Sequence, residues 1–590
     1  MKNNSNNSKK EVILEGMATS PGIAIGPVYI FNPYAINLSE LELEIDDIEN
    51  EIVLFEKARL KVLEQLEYSQ AHSEALYGNQ FNEIFETQKA FLNDTVLMDE
   101  IIQTIKDKNK SAVHTVTEIL SRKSEYFINL ENTYFRERAF DILDLKQKLI
   151  LFLVGINIDY HLSRPSIVVA ESLSPSDTIH FNRNFILGFL TDKGGKTAHA
   201  AILARGLKIP AVVNGINLSK LIIQDDLLII DGFNGMIVIN PTETTIKKYH
   251  NLQKEYKKFE DGLRKDVQSS PETKDGERIQ LLANIDLLEE INNVESSYAD
   301  GVGLFRTENI FLDEEREPSE ENQFDIYKNL AEQMAPKQVV IRTIDIGGDK
   351  LLEGYGHRRE PNPYLGWRAI RFCLDRPELF KTQLRAIYRA SVFGNVKILI
   401  PLVSSIDEVK RTKELIAEVK TELKKKGVPF NNDLPIGLMI ETPSAAILAD
   451  TFADYADYFS IGTNDLTQYV LAIDRTNDRV SKYYNSFNPA VLKMVWKSIK
   501  AATNKGIDIT LCGEFGAQPE AIPLLMGMGL RSFSMIPQYI LEAKMIIRSL
   551  SLNQCEDLFE SVIELPTADE IENKCKEVIQ SIIPDAKLLK

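Results

Sequence analysis

The chain has 590 residues, a formal net charge of −18, 44% apolar residues and 26% charged residues. That length calls for more than one domain, and that composition for packed cores rather than disorder. The acidic balance excludes nucleic-acid backbones and anionic membrane surfaces as natural partners, so an anionic ligand would have to be met by Arg and Lys gathered locally.

Met1 to Lys10 is polar, no apolar stretch of signal-peptide length follows it, and no later run approaches a membrane span. A cytoplasmic protein without membrane insertion is expected. Cys373, Cys512, Cys555 and Cys575 lack metal-ligand spacing and suit a reducing compartment.

Val12 to Ile30 holds Ser20-Pro21-Gly22 and Gly26-Pro27 and predicts short strands and turns. From Leu38 to Leu153 the apolar residues recur at helical spacing, as in Leu54, Ala58 and Val62, which predicts a helical bundle. Ser166 to Ala170, Phe185 to Leu190, Ala211 to Val213 and a hairpin over Leu227 to Ile239 turning at Asn234-Gly235 predict a compact α/β domain. The N-terminal strands would complete that domain, with the bundle inserted. The boundaries expected are 1–35 with 156–243 for the α/β domain, 36–155 for the bundle and 244–270 for a charged helical linker.

Residues 271–590 carry eight short β-rich runs separated by helical patterns: Ile279 to Ile285, Gly301 to Thr307, Val339 to Asp345, Val396 to Leu402, Ile436 to Thr442, Tyr458 to Asn464, Asp508 to Glu514 and Ser532 to Met535. Eight alternations predict a (β/α)8 TIM-type barrel, whose functional residues lie at strand C-termini. Asn284, Arg306, Arg342, Asp345, Glu441, Asn464, Asp465, Cys512 and Glu514 all sit at or just past those ends, so one mouth would gather them.

Arg306, Arg342, Arg368 and Arg475, with Lys350, are candidates for gripping a small polyanion, because guanidinium forks match phosphate and carboxylate oxygens. Any one arginine alone reads more readily as the partner of a rim carboxylate, but four at one mouth shift the reading towards a ligand. Glu441 and Asp465 end consecutive strands and could share a hard cation completed by waters and substrate oxygens, although Asp465 also suits a helix N-cap. Cys512 could be a buried small hydrophobe, but its place at a strand end among ionic groups points to chemistry. His199 follows Gly194-Gly195 at the start of a small-residue helix, where backbone N–H groups would face a phosphate and a neutral imidazole could attack phosphorus.

The segment Thr191 to Arg205, with Gly-Val-Gly-Leu-Phe-Arg-Thr-Glu (301–308), Arg-Thr-Ile-Asp-Ile-Gly-Gly-Asp-Lys (342–350), Asn-Pro-Tyr-Leu-Gly-Trp-Arg-Ala-Ile-Arg (362–371), Ile-Gly-Thr-Asn-Asp-Leu-Thr-Gln-Tyr (461–469) and Leu-Cys-Gly-Glu (511–514), resembles Enzyme I of the bacterial phosphotransferase system over nearly the whole chain. The resemblance implies a swivelling phosphohistidine α/β domain, a bundle that docks the phosphocarrier protein HPr, and a barrel that binds phosphoenolpyruvate and forms a homodimer. It implies His199 as the phosphorylated residue and Cys512 as proton donor. Arg306, Arg342, Asn464, Asp465 and Arg475 become substrate contacts by the same likeness, and Glu441 with Asp465 the Mg²⁺ pair. Lys196 stands where the family usually has Arg, Ala198 where it usually has Ser, and Gln88 where it often has His.

The implied activity is transfer of the phosphoryl group of phosphoenolpyruvate to His199 and then to HPr, opening sugar uptake. The alternatives are a paralogue serving a nitrogen-regulatory or other carrier, and a catalytically silent carrier-binding scaffold. Pyruvate phosphate dikinase and phosphoenolpyruvate synthase share the histidine domain and barrel, but need a large ATP-binding domain for which this length leaves no room.

Overall fold

The computed structural model describes residues 10–32, 47–77, 82–128, 133–156, 160, 162–173, 177, 181–192, 204, 209–213, 218, 221–265, 268–312, 317–347, 362–475, 477 and 479–583. His199, Lys350, Lys196 and Ala198 fall outside them. The chain divides into two compact units, Met1–Lys257 and Lys258–Lys590.

In the first unit, β1 (Val12–Glu15), β2 (Met17–Ser20), β3 (Ile23–Phe31), β4 (Ser166–Ala170), β5 (Ile186–Thr191), β6 (Ala211–Val213), β7 (Leu227–Asp231) and β8 (Met236–Ile239) form one sheet in the order β1-β8-β7-β3-β4-β5-β6-β2. β3 to β6 run parallel, and the outer pairings are antiparallel. The β7–β8 hairpin turns where Asp231 accepts from the backbone of Phe233 and Asn234, and Gly235 takes a φ of +69° that a side chain would strain. Between the paired neighbours β3 and β4 lie five helices: α1 (Ile48–Tyr77), α2 (Asn82–Asn93), α3 (Thr95–Lys108), α4 (Ala112–Ile128) and α5 (Thr133–Leu153).

The helices share a core of their own, with Phe55, Val62 and Leu66 from α1, Phe85 and Leu92 from α2, and Leu145 and Leu149 from α5. One expectation fails in detail. Leu54 is exposed, and α1 buries Phe55, Ala58, Val62 and Leu66, the true 3.6-residue register. After β8, α6 (Glu243–Lys265) packs Tyr249 onto Ile229 and Val238 of the sheet.

In the second unit, β9 (Gln280–Ile285), β10 (Gly301–Phe305), β11 (Gln338–Arg342), β12 (Asn395–Ile400), β13 (Ile436–Ile440), β14 (Tyr458–Ile461), β15 (Asp508–Leu511) and β16 (Ser532–Met535) close into a barrel, each parallel to the next and β16 parallel to β9. Alternation along each strand sends one set of side chains outward under the helices and the other inward, where Leu304, Val340, Leu399, Met439, Tyr458 and Cys512 fill the interior. Several strands stop earlier than their apolar runs suggest. β10 ends at Phe305, β13 at Ile440 and β15 at Leu511, so Arg306, Glu441 and Cys512 stand just beyond the ladder.

Candidate active site

The strand ends open on a cavity of about 320 Å³. Arg306, Arg342, Asp345, Arg368, Glu441, Asn464, Asp465, Arg475, Cys512 and Glu514 all line it, so of the expected barrel residues that the structure describes all but Asn284 reach one place.

Three loops supply the cationic half. Arg342, last residue of β11, donates through Nη2 to Glu308 Oε1 at 2.8 Å, while its Nη1 lies 3.0 Å from Asp345 Oδ2. The same Glu308 oxygen accepts from the Asp345 backbone N–H at 3.1 Å, which fixes the loop after β11 against the loop after β10. Arg368 spans both oxygens of Asp345, at 2.9 and 3.0 Å through Nη2, and reaches Asp465 Oδ2 at 3.2 Å. The backbone of Arg368 pairs with Gly347, where an added Cβ would stand 1.8 Å from the Arg368 Cβ, so only glycine permits the approach. Arg306 and Arg475 are more open: Arg306 meets Asp286 at 3.2 Å, and Arg475 Nη2 lies 3.9 Å from Asp465 Oδ1. Buried charges alternate in sign through Glu308, Arg342, Asp345, Arg368 and Asp465, as they must where water cannot reach them.

The carboxylates exceed this need. Among the described residues, four guanidinium groups face six carboxylates around the cavity: Asp286, Glu308, Asp345, Glu441, Asp465 and Glu514. Asp465 Oδ1 is buried without a hydrogen-bond partner among the described residues. Glu441 is buried, and its Oε1 accepts from the Leu402 backbone N–H at 2.6 Å. Burial first, then the charges of Asp465 and Asp345, hold its carboxyl well above the usual carboxylate range. Gly462 makes room for it, since a Cβ there would lie 2.6 Å from Glu441 Oε2. A surplus of buried negative charge with an unused oxygen fits a hard divalent cation. Among the described residues no group of three or more His, Cys, Asp or Glu could cage a metal alone, so water and substrate oxygens would complete the sphere, the usual arrangement for Mg²⁺.

Asn464 and Glu514 hold each other, the Asn464 amide donating to Glu514 Oε1 and accepting from the Glu514 N–H, both at 3.1 Å. Cys512 is buried at the floor, where its Sγ accepts from Ser460 Oγ at 3.1 Å. Burial pushes its thiol above the ordinary value, and the Ser460 hydrogen bond pulls the other way.

Similarity to known proteins follows this architecture. Residues 15–138 match the family model "PEP-utilising enzyme, N-terminal", 162–235 "PEP-utilising enzyme, mobile domain" and 260–552 "PEP-utilising enzyme, PEP-binding domain". The phosphoenolpyruvate-protein phosphotransferase of Priestia megaterium is 39% identical, over 95% of this chain and 97% of its own length. That of Bacillus subtilis (strain 168) is 38% identical, over 96% and 100%. That of Mycoplasma capricolum subsp. capricolum is 36% identical, over 96% and 99%. The chain belongs to the phosphoenolpyruvate-protein phosphotransferase family.

The match to the PEP-binding domain of PEP-utilising enzymes contains all eight barrel strands and every cavity residue named above. Among the described residues no helix is long and apolar enough to cross a membrane. Sequence reasoning left Asp286, Glu308 and Tyr364 unassigned although each lines the cavity, and the strand-end rule was signal enough for the first two. Asn284 was expected at the mouth and is not part of it. Its amide donates to the backbone carbonyls of Cys512 and Ser534, and its Oδ1 accepts from Ser534 Oγ, so it ties β9 to the strands that close the barrel. Gln88, one of the three departures from the family pattern, is buried on the face of α2 that carries Phe85 and Leu92. It donates to Asp144 and accepts from Lys148, so its hydrogen bonds lie inside the bundle.

Proposed function

We propose that this chain moves the phosphoryl group of phosphoenolpyruvate onto His199 and from there to a histidine of HPr or an HPr-like carrier, releasing pyruvate. One observation carries the reading: ten residues scattered over more than 200 positions, Arg306 to Glu514, converge on a single cavity whose forks and carboxylates suit a metal-bound enol phosphate. The arginines match the phosphate and carboxylate oxygens of the substrate. Glu441 and Asp465 are the residues that would hold Mg²⁺. When bound, the ion would supply charge neutralisation at the phosphate oxygens.

The chain's own groups do the rest. Arg342 and Arg368, fixed by Glu308 and Asp345, orient the substrate so that little reorganisation remains for the transition state. His199 Nε2 or Nδ1 bonds to phosphorus as the bridging P–O bond breaks, and the enolate oxygen keeps that electron pair. The Cys512 thiol, held protonated by burial, then gives its proton to the methylene carbon, and the enolate collapses to pyruvate. Domain roles follow the family likeness: carrier docking on the helices, phosphohistidine transport by the α/β domain, and a homodimer through the barrel. The buried, unpaired cysteines suit a cytoplasmic setting.

Labelled phosphoenolpyruvate with Mg²⁺ should place acid-labile phosphate on the wild-type chain, and adding HPr should discharge it. His199→Ala should abolish the label; label persisting on that variant would move the nucleophile elsewhere.

A further inference from the structure

β14 contributes Tyr458, Phe459, Ser460 and Ile461 to the barrel. Phe459 and Ile461 point outward into the core beneath the helices, so alternation turns Tyr458 and Ser460 inward. The interior at this level is apolar, built from Leu304, Val340, Leu399, Met439, Tyr458 and Cys512. Ser460 is 1% exposed among them. A hydroxyl in such a place is costly unless it is engaged, and its hydrogen-bond partner among the described residues is the Cys512 sulfur, 3.1 Å away. The sulfur in turn lies 3.6 Å from the Ile461 carbonyl, a long contact typical of a weak S–H donor. Ser460 therefore meets the thiol from the wall of the barrel, while the cavity is open to Cys512 from above.

We propose that Ser460 is a positioning residue for proton delivery: its hydroxyl fixes Cys512 Sγ beneath the bound enolate and stabilises the negative charge that builds on sulfur. The inference rests on Cys512 being the proton donor. In the step, the S–H bond breaks and a C–H bond forms at the methylene carbon of the enolate. The enolate π pair becomes that bond, the carbonyl of pyruvate forms, and sulfur keeps the S–H pair as thiolate. Ser460 keeps its own proton throughout and donates only a hydrogen bond. Water restores the thiol after pyruvate leaves. A donor aimed at developing charge in a water-excluded site acts mainly in the transition state, so its loss shows in turnover rather than substrate affinity.

Ser460→Ala removes the hydroxyl with almost no change of volume. In rapid-quench experiments with labelled phosphoenolpyruvate and Mg²⁺, phosphoprotein should form at the wild-type rate, while pyruvate should appear roughly 10- to 100-fold more slowly. The KM for phosphoenolpyruvate should hold, and the solvent deuterium isotope effect on pyruvate formation should rise. Ser460→Thr, which retains the hydroxyl, should recover most of the rate. Cys512→Ala run beside them separates the failures. Normal pyruvate formation in Cys512→Ala would overturn the thiol as donor, and this inference with it. A Cys512→Ala defect with normal pyruvate formation in Ser460→Ala would overturn the inference alone. A Ser460→Ala loss confined to KM would overturn it as well.

Discussion

Two clusters of buried charge, one in each unit, use the same kinds of residue and arrive at different states. In the helical bundle, Lys148 donates to Asp144 at 2.8 Å and to Gln88 at 3.0 Å, and Gln88 donates back to Asp144 at 2.7 Å. One cation meets one anion with a neutral amide between them, and all three side chains are buried. At the barrel mouth, among the described residues, six carboxylates face four guanidinium groups around open space, with Glu308, Asp345, Glu441, Asp465, Arg342 and Arg368 the buried ones. Among the described residues each cluster holds a fully buried carboxylate oxygen without a hydrogen bond, Asp144 Oδ1 and Asp465 Oδ1, so an orphan atom does not separate them. Net charge and cavity do. A balanced cluster packed among Phe85, Leu92 and Leu145 holds helices together, whereas an unbalanced one lining a void is prepared for a charged ligand.

Parallel substitutions break the comparison if it is wrong. Arg368→Met should have the larger effect, because it removes the cation that bridges two buried carboxylates and leaves Asp465 facing only the distant Arg475: a loss of about 3–5 kcal/mol of stability and of roughly 10³-fold in phosphoenolpyruvate-dependent labelling. Thermal melts and labelling rates on the same preparation check both. Lys148→Met should cost about 3 kcal/mol in the bundle and leave the labelling rate intact, and adding Asp144→Leu should restore most of that stability by replacing the pair with apolar groups. A Lys148→Met variant that melts normally but labels slowly would reverse the two assignments.

Much of this was legible in the chain. Eight apolar runs alternating with helical patterns pointed to the barrel, because parallel strands buried on both faces read as continuous hydrophobic stretches. Residues just past each run gave the mouth, because strand ends are where a closed barrel exposes side chains. What failed depended on neighbours that linear sequence does not show. Asn284 and Cys512 occupy similar strand-end positions, yet one is absorbed by backbone carbonyls of adjacent strands and the other opens to the cavity. Ser460 looked like one more residue of an apolar strand until β15 was set beside β14. Gln88 carried a family signal about its identity and none about its burial, and Leu54 and Phe55, adjacent in a helix, differ only by the 100° that decides which one meets the core.

The surplus of carboxylates at the mouth is the claim most directly open to measurement. Phosphoenolpyruvate can be titrated calorimetrically into the full-length His199→Ala chain, which prevents turnover, with Mg²⁺ and then with EDTA. Affinity should fall at least ~100-fold without the ion, and Glu441→Gln in the same background should bind weakly whether or not Mg²⁺ is present. Equal affinity with and without Mg²⁺ in the His199→Ala chain would contradict that claim.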